Sequence, residues 1–531
     1  MIIKIAQLLL SLTILVALHE LGHFVAAKMF KTRVEKFYIF FNPWFSLFKK
    51  KIGETTYGIG WLPLGGYVKI SGMIDESMDK EQLEKEPEPW EFRSKPRWQK
   101  LIIMLGGIFV NVVLAFFIYS MVLWIWGKQN VVYNGDINNN NGIDIMYAGC
   151  LDEDAWNYNE FANYPIDCIS KENGEGEAPE SIDFSLKPGD KILEIDGKKY
   201  DHVDWRDVRI DLILWGEKEV VIKRDGKTMP ITFSGSDIKL IVSGVVDIFP
   251  RVPVIVDRVF DTKYIVKEGD NIDSVAINSL MPVDSILARN DLVGDLFVGQ
   301  EIKTHFEESI IAKTAGLKAG MKIFSCNGNR INSIVDLKSN FYKSRGKEIR
   351  LGVTKKVGNS VKDTVFKIVL PSEVGPMIGF APKDYSDILP SQDIEYSLFG
   401  GSKPSFISAG ISETTKSIRQ YVGQLPLIFL PETGVYKEVG GFIKIGQIFP
   451  AEFNWRTFWV LTALLSIMLA VINLLPIPAL DGGHAAILLF EMITGRDVNP
   501  KILEKLQIFG MIILFGLFIY ANGLDIWNLF R

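Results

Sequence analysis

The chain has 531 residues, of which 48% are hydrophobic, and its formal net charge is −5. Its mean hydropathy of +0.16 argues against an ordinary soluble protein, and its length allows several domains. The sequence contains no basic patch interleaved with aromatic residues, so nothing in it predicts nucleic-acid binding.

The first apolar segment, residues 5–27, contains the motif His19-Glu20-Leu21-Gly22-His23. In a helix the two histidines are four residues apart, so both rings project from one face and can hold a single zinc ion. Glu20 then lies beside the metal, where a carboxylate can take the proton from a zinc-bound water. A charged group near the middle of a spanning helix costs about 2.5–3.5 kcal/mol, so it needs a compensating partner such as a divalent metal.

Two other interpretations of this segment stay open. The motif can arise by chance, or the segment can be a signal peptide with Lys4 at its basic end and a cleavage site at Val25-Ala26-Ala27. The apolar run is too long for a signal peptide and polar residues interrupt it, which favours a spanning helix.

The region between the first and second apolar segments is basic and also rich in aromatic residues and glycine. Because positive loops stay in the cytoplasm, this loop is expected to be cytoplasmic. The β-favouring run from Tyr57 to Ile70 predicts a short re-entrant hairpin that dips into the membrane, and an ordinary surface hairpin is the alternative. The basic residues of the loop are Lys28, Lys31, Arg33, Lys36, Lys49, Lys50, Lys51, Arg93, Lys95, Arg97 and Lys100.

Three further apolar segments, residues 101–126, 455–475 and 506–526, each have about the twenty residues that cross a bilayer core of about 30 Å. The sequence therefore predicts a polytopic α-helical membrane protein with four transmembrane helices. If the basic loop is cytoplasmic, both termini and residues 128–454 lie on the opposite, exported side.

The exported region contains an internal repeat. Residues 186–192, Leu-Lys-Pro-Gly-Asp-Lys-Ile, recur 131 residues later as 317–323, Leu-Lys-Ala-Gly-Met-Lys-Ile. Each copy predicts a glycine turn, a strand, a hairpin, a short helix and another strand, a pattern that resembles a pair of PDZ domains over 128–250 and 251–382. PDZ domains grip peptides by adding them to a sheet edge, and small α/β spacers are the alternative. Residues 383–452 then predict an amphipathic region at the outer membrane surface.

The chain has 3 cysteines. Cys150 and Cys168 fall in the exported region, where an oxidising compartment would permit a disulfide between them, and Cys326 would remain unpaired. This bridge is a hypothesis that thiol labelling with and without reductant can decide.

The third apolar segment ends in a second motif, residues 473–484, Asn-Leu-Leu-Pro-Ile-Pro-Ala-Leu-Asp-Gly-Gly-His. The prolines stop or kink the helix and the glycines allow a sharp turn, which can present Asp481 inward as the third zinc ligand. Asn473 can donate hydrogen bonds to the substrate backbone or to a developing oxyanion. A helix cap is the alternative for Asp481, and His484 can support the site or serve only the turn.

Together the two motifs resemble the site-2 protease family of intramembrane zinc metalloproteases, and the two repeats and the glycine-rich loop are similar to its bacterial branch. The resemblance implies that His19, His23 and Asp481 bind Zn²⁺ and that Glu20 is the base. It also implies that the Tyr57–Ile70 stretch lays an edge strand against an unwound substrate helix. The candidate substrate-binding residues are Gly58, Gly60, Gly65, Gly66, Tyr67 and Asn473.

In this interpretation residues 1–127 and 453–531 each supply two spans. The exported region is longer than the resemblance leads us to expect, with extra segments around residues 130–170 and 254–297. The expected activity is cleavage of single-pass membrane proteins inside the lipid bilayer, towards the cytoplasmic side of a bacterial inner membrane. By the resemblance, the substrates are of the anti-sigma factor type after a first cleavage, or signal-peptide remnants. A non-catalytic scaffold that binds peptide termini at the PDZ repeats is the alternative, and a metal transporter would need polar residues along several spans.

Overall fold

The computed structural model describes residues 2–62, 65–73, 87–149, 164–165, 183–279, 281, 283–290, 296–305, 311–357, 360–370, 380–398 and 403–529. The chain divides into two compact units. The helical unit comprises Met1–Gln129, Asp393–Phe429 and Val435–Arg531, and the α/β unit comprises Asn130–Gln392 and Leu430–Gly434. Cys150 and Cys168 lie outside the described residues, so the predicted disulfide stays a prediction, whereas Cys326 is free and buried.

The helical unit begins with helix α1, Ile2–Met29, which contains the first motif. A sheet follows, made of β1 (Val34–Ile39), β2 (Phe41–Ile52), β3 (Thr55–Leu62) and β4 (Tyr67–Ile70) in the order β2-β3-β1-β4. Strand β1 pairs in parallel with β3 and antiparallel with β4.

This sheet corrects the predicted hairpin over residues 57–70. Strands β3 and β4 do not pair with each other, because β1 lies between them. The hairpin of this region instead joins β2 to β3 through a two-residue turn at Gly53-Glu54, where the positive φ of Gly53, +62°, suits a tight hairpin turn. Residues 57–70 therefore supply two separate strands of a larger sheet.

The second spanning helix, α2 (Arg97–Trp126), follows a short 3₁₀ turn at Phe92–Ser94 and packs on α1. Glycines permit this close approach: a Cβ atom built on Gly22 would lie 2.3 Å from the carbonyl oxygen of Gly106, and one built on Gly106 would lie 2.7 Å from that of Gly22. Small residues on both helices thus let the first two spans pack closely.

The α/β unit carries two copies of one element order. The remaining elements before and within the first copy are β5 (Lys128–Val131), α3 (Asn134–Asn139), β6 (Ile143–Gly149), β7 (Tyr164–Pro165), β8 (Lys191–Ile195), β9 (Lys198–Lys199), α4 (Trp205–Ile213), β10 (Lys218–Arg224), β11 (Lys227–Phe233), α5 (Gly235–Val242) and β12 (Val246–Pro250). Helix α5 starts at a reciprocal capping box between Ser234 and Asp237, as its sequence favours.

The second copy contains β13 (Val254–Val259), β14 (Lys263–Ile265), α6 (Ile272–Ser279), α7 (Val283–Asn290), β15 (Glu301–Lys303), α8 (Ile311–Thr314), β16 (Lys322–Cys326), β17 (Asn329–Arg330), α9 (Ile334–Lys343), β18 (Glu348–Val357), β19 (Ser360–Val369) and β20 (Phe380–Pro382). Strand β21 (Gln392–Ile394) follows the second copy. Strand β16 begins at Lys322, 131 residues after β8 begins at Lys191, so the sequence repeat is also a structural repeat. Each copy has its own hydrophobic core.

One part of the second copy has no counterpart in the first. Strands β14 and β15 pair antiparallel and, with α6 and α7, surround a small separate core of Val266, Val275, Ile286 and Ile302. This insert explains most of the extra length that the sequence showed around 254–297.

The remaining helices complete the helical unit: α10 (Phe406–Ile428), α11 (Phe442–Ile448), α12 (Trp455–Leu474), α13 (Asp481–Thr494) and α14 (Pro500–Leu529). Among the described residues, four helices are long and apolar enough to cross a membrane, at Ile3–Met29, Arg97–Trp126, Trp455–Leu474 and Ile502–Trp527, which confirms the prediction of four spans. The 14-residue helix α13, which begins inside the second motif at Asp481, was not predicted from the sequence.

Candidate metal centre

Helix α1 turns both histidines of the first motif to the same buried face. His19 is 7% exposed and His23 is 8% exposed, and their Nε2 atoms lie 3.2 Å apart. The i, i+4 spacing therefore gives the geometry that it predicts, with two ring nitrogens directed at one point.

The second motif delivers Asp481 to the same point. Helix α12 ends at Leu474, and the following loop contains Ala479 with a φ of +86°, a conformation that is uncommon for a residue with a side chain. Helix α13 then begins at Asp481, whose Oδ2 lies 3.2 Å from the Nε2 atoms of both His19 and His23.

The glycines after Asp481 act differently from the sequence expectation. They lie in the first turn of α13 rather than in the bend itself. A Cβ atom on Gly482 would lie 2.3 Å from the carbonyl oxygen of Leu474, and one on Gly483 would lie 2.3 Å from that of Ile477. The glycines thus let the new helix press against the end of the preceding one, which fixes where Asp481 points.

The three side chains fit a zinc ion. Their Nε2, Nε2 and Oδ2 atoms form a triangle with 3.2 Å edges, and ligands about 2.0–2.1 Å from a tetrahedral zinc are about 3.3 Å from one another. Apart from the two ring nitrogens, no described residue donates a hydrogen bond to the buried Oδ2 of Asp481. Within the described ranges these residues form the one His/Cys/Asp/Glu cluster of metal-binding geometry.

Helix α2 supplies contacts to both histidines. The Nδ1 atom of His23 lies 2.8 Å from the carbonyl oxygen of Ile103, and the amide of Asn111 lies 3.2 Å from Nδ1 of His19. A Cβ atom on Gly107 would lie 2.5 Å from Nε2 of His23, so only glycine leaves room for the rings there. In the sequence, the signal that could have indicated these contacts is a polar residue and a glycine one helical turn apart within an apolar span.

The other candidate residues, those for catalysis and for substrate binding, lie at the end of α12, in α1, at and just before the start of β4, and in β3. Asn473 is near it, with Nδ2 3.4 Å from Nε2 of His19. Glu20 is half-buried and adjoins the segment before β4, since a Cβ atom built on Gly66 would lie 3.4 Å from its Cγ. Gly65 precedes Gly66 in that segment, and the hydroxyl of Tyr67 donates to Oδ1 of Asn42.

The glycines of β3 face the sheet rather than the cluster. A Cβ atom on Gly58 would lie 2.3 Å from the ring of Tyr38, and one on Gly60 would lie 2.1 Å from the carbonyl oxygen of Phe41. Their positions indicate a packing role inside the sheet. His484 is outside the triad and lines a neighbouring cavity of about 280 Å³ with Pro478 and Lys100.

The sequence of the chain matches a known protein family. The model of peptidase family M50 matches residues 7–517. A candidate zinc metalloprotease of Thermotoga maritima is 25% identical over 562 residues, which cover 98% of each chain. The regulator of sigma-E protease RseP of Escherichia coli is 25% identical over 532 residues, covering 99% of this chain and 97% of that protein.

These matches extend over nearly the whole chain and include both motifs. They confirm the resemblance to site-2 proteases that the two motifs indicated. The chain therefore belongs to peptidase family M50 and is a metalloprotease.

Proposed function

We propose that this protein is a zinc-dependent endopeptidase that cleaves peptide bonds within the membrane-spanning part of single-pass membrane proteins. The observation that carries the proposal is the 3.2 Å triangle of His19, His23 and Asp481, formed where an apolar spanning helix meets the end of another. The similarity to RseP, a regulator of sigma-E protease, supports the same activity.

In this proposal His19, His23 and Asp481 hold the metal. The chemistry that zinc supplies when bound is Lewis acidity, which polarises a carbonyl group and acidifies water. Three protein ligands, two of them histidines, are the set typical of catalytic zinc sites.

Glu20 is the general base in this proposal. It follows His19 directly and is half-buried in the spanning helix. Its carboxylate takes a proton from the attacking water as the water oxygen bonds to the scissile carbonyl carbon. The same proton passes to the amide nitrogen as the carbon–nitrogen bond breaks, so one group acts first as base and then as acid.

Asn473 positions the substrate in this scheme. Its amide lies beside the metal-facing nitrogen of His19, so it can donate to the scissile carbonyl oxygen and stabilise the negative charge that develops there. The half-buried position of Asn473 leaves its amide accessible to a chain entering the site.

We propose that β4 receives the unwound substrate as an added strand. A spanning helix hides its peptide bonds in its own hydrogen bonds, so it must be extended before it can be cut. Strand β4 is an edge of its sheet, and the Gly65–Gly66 segment before it lies beside Glu20. Strand addition there would bring an extended chain close to the base.

The exposed aromatic residues of β2 support a position of this sheet against the membrane. Trp44 is 91% exposed, and three neighbours are also largely exposed. Such a cluster suits the interface between the lipid tails and the headgroups. The three lysines that follow it in the chain suit contact with anionic headgroups. The neighbours are Phe45, Leu47 and Phe48, and the lysines are Lys49, Lys50 and Lys51.

We propose that the basic loop around this sheet lies in the cytoplasm, that the spanning helices lie in a bacterial inner membrane, and that the α/β unit is exported. We propose that the two repeats are PDZ-like domains, over 128–250 and 251–382, that bind peptide termini or exclude untrimmed substrates. Single-pass proteins of the anti-sigma factor type, already cut once outside the membrane, are the proposed substrates, with signal-peptide remnants as a second class.

The test is cleavage of a reconstituted single-pass substrate by the wild type and by Glu20→Gln. We expect the substitution to lower turnover about 10²–10⁴-fold, because the base is lost, while zinc content is unchanged. Equal turnover of the two proteins would refute the assignment of the base. Wild-type protein that retains zinc but cleaves no membrane segment would favour the scaffold alternative.

A further inference from the structure

Asn111 is a polar residue buried in the second spanning helix. It is 0% exposed, and its side-chain amide lies 3.2 Å from Nδ1 of His19. Its backbone carbonyl oxygen accepts a hydrogen bond of 2.8 Å from the hydroxyl of Ser466 on α12. Asn111 is thus held between α1, which carries both histidines, and α12, the span that precedes Asp481.

The contact lies on the side of His19 that faces away from the triad. Its Nε2 atom faces His23 and Asp481, so Nε2 is the nitrogen that can bind a metal. A neutral imidazole that binds through Nε2 carries its proton on Nδ1, and that proton needs an acceptor. For His23 the acceptor is the carbonyl oxygen of Ile103, 2.8 Å away.

The side-chain oxygen of Asn111 meets this need for His19. It is buried and has no hydrogen-bond partner among the described residues. The two ends of a carboxamide have the same shape, so rotation by 180° puts this oxygen against Nδ1. With the NH₂ group there instead, Nδ1 would accept, and the ring proton would occupy Nε2 and prevent metal binding.

We infer that Asn111 is a positioning residue that accepts from Nδ1–H of His19 and so holds that ring in its metal-binding tautomer. The inference rests on the proposed metal site. Gly107 lies one helical turn before Asn111 and leaves room for both rings, so the same face of α2 supplies space and the acceptor.

The test measures zinc affinity rather than cleavage. The purified full-length protein is titrated against a chromogenic zinc chelator, with Asn111→Leu, Asn111→Ala, Asn111→Asp and the control Ser120→Ala. Losing the acceptor should weaken zinc binding about 10–100-fold in Asn111→Leu and Asn111→Ala. Asn111→Asp should keep at least the wild-type affinity, because its carboxylate also accepts from Nδ1–H. Ser120 is buried on the same helix, so Ser120→Ala controls for loss of a buried polar group.

The variants separate hydrogen bonding from packing. Wild-type affinity in Asn111→Ala would overturn the inference, and so would Asn111→Asp binding as weakly as Asn111→Leu. Asn111→Ala decides the question if the bulkier leucine prevents folding. If the wild type binds zinc and the Asn111 variants bind it equally well, only this inference fails. If the wild type itself has no zinc affinity, the proposed function fails as well.

Discussion

Buried polar groups serve different purposes in the two units. In the helical unit the buried His19 and His23 converge on Asp481, whose Oδ2 atom has no donor among the described residues apart from the two ring nitrogens. In the α/β unit the fully buried Asp190 pairs with Arg224, and its Oδ2 also accepts from the backbone of Lys187. The first arrangement costs stability unless a ligand compensates it, whereas the second is complete in itself.

The largest expected effect comes from removing the carboxylate of the triad. Asp481→Asn should reduce bound zinc to less than about a tenth of the wild-type content, since metal affinity depends on a deprotonated ligand. Elemental analysis of the purified protein measures this, and cleavage should fall in parallel. Full zinc content in Asp481→Asn would place the metal elsewhere.

The matched change in the α/β unit should affect stability alone. Asp190→Ala leaves Arg224 without its carboxylate, and we expect a loss of about 3 kcal/mol in the unfolding free energy, because Arg224 stays partly exposed. Chemical denaturation followed by tryptophan fluorescence reports it. Zinc content should not change, and a loss of zinc would contradict the contrast between the units.

Gly107→Ala should disturb the site without removing any ligand. The added methyl group would lie 2.5 Å from Nε2 of His23, so the rings must move, and we expect zinc affinity to fall about tenfold. Gly516→Ala is the control, since nothing lies within 4 Å of a Cβ atom at that position in α14. Equal zinc affinities for the two variants would show that the site tolerates the methyl group.

A smaller effect is expected from Asp144 in β6. Burial raises the pKa of this carboxyl, so the folded unit binds its proton more tightly than the unfolded chain does. Stability should then decrease as pH rises from the ordinary aspartate pKa through the raised one. Asp144→Asn should remove that decrease and stabilise the unit at neutral pH, as thermal unfolding between pH 4 and about pH 8 would show. An unchanged pH profile would contradict this role.

Features set by short-range spacing could be predicted from the sequence. The i, i+4 histidines, the four apolar spans and the 131-residue repeat each depend on local pattern, and the structure has all of them. The meeting of Asp481 with the histidines was predictable only because two motifs were interpreted together, since 458 residues separate it from His23.

Features set by long-range pairing could not be predicted in the same way. The parallel pairing of β1 with β3 depends on which strands meet, and residues 57–70 read alone favoured a hairpin. The contact between Asn111 and His19 joins positions 92 residues apart, and an asparagine in an apolar span does not name its partner. Helix α13 was missed because the prolines before it indicate only where α12 stops.

The insert formed by β14, α6, α7 and β15 begins and ends at nearly the same place. The backbone nitrogen of Thr304 donates to the carbonyl oxygen of Thr262 at 2.8 Å, and the rings of Phe260 and His305 stack with centroids 4.5 Å apart. A segment with adjoining ends and its own core can be excised and closed with a short linker at little cost in loop entropy. We therefore expect that a second repeat shortened in this way keeps the pairing of β13 with β16.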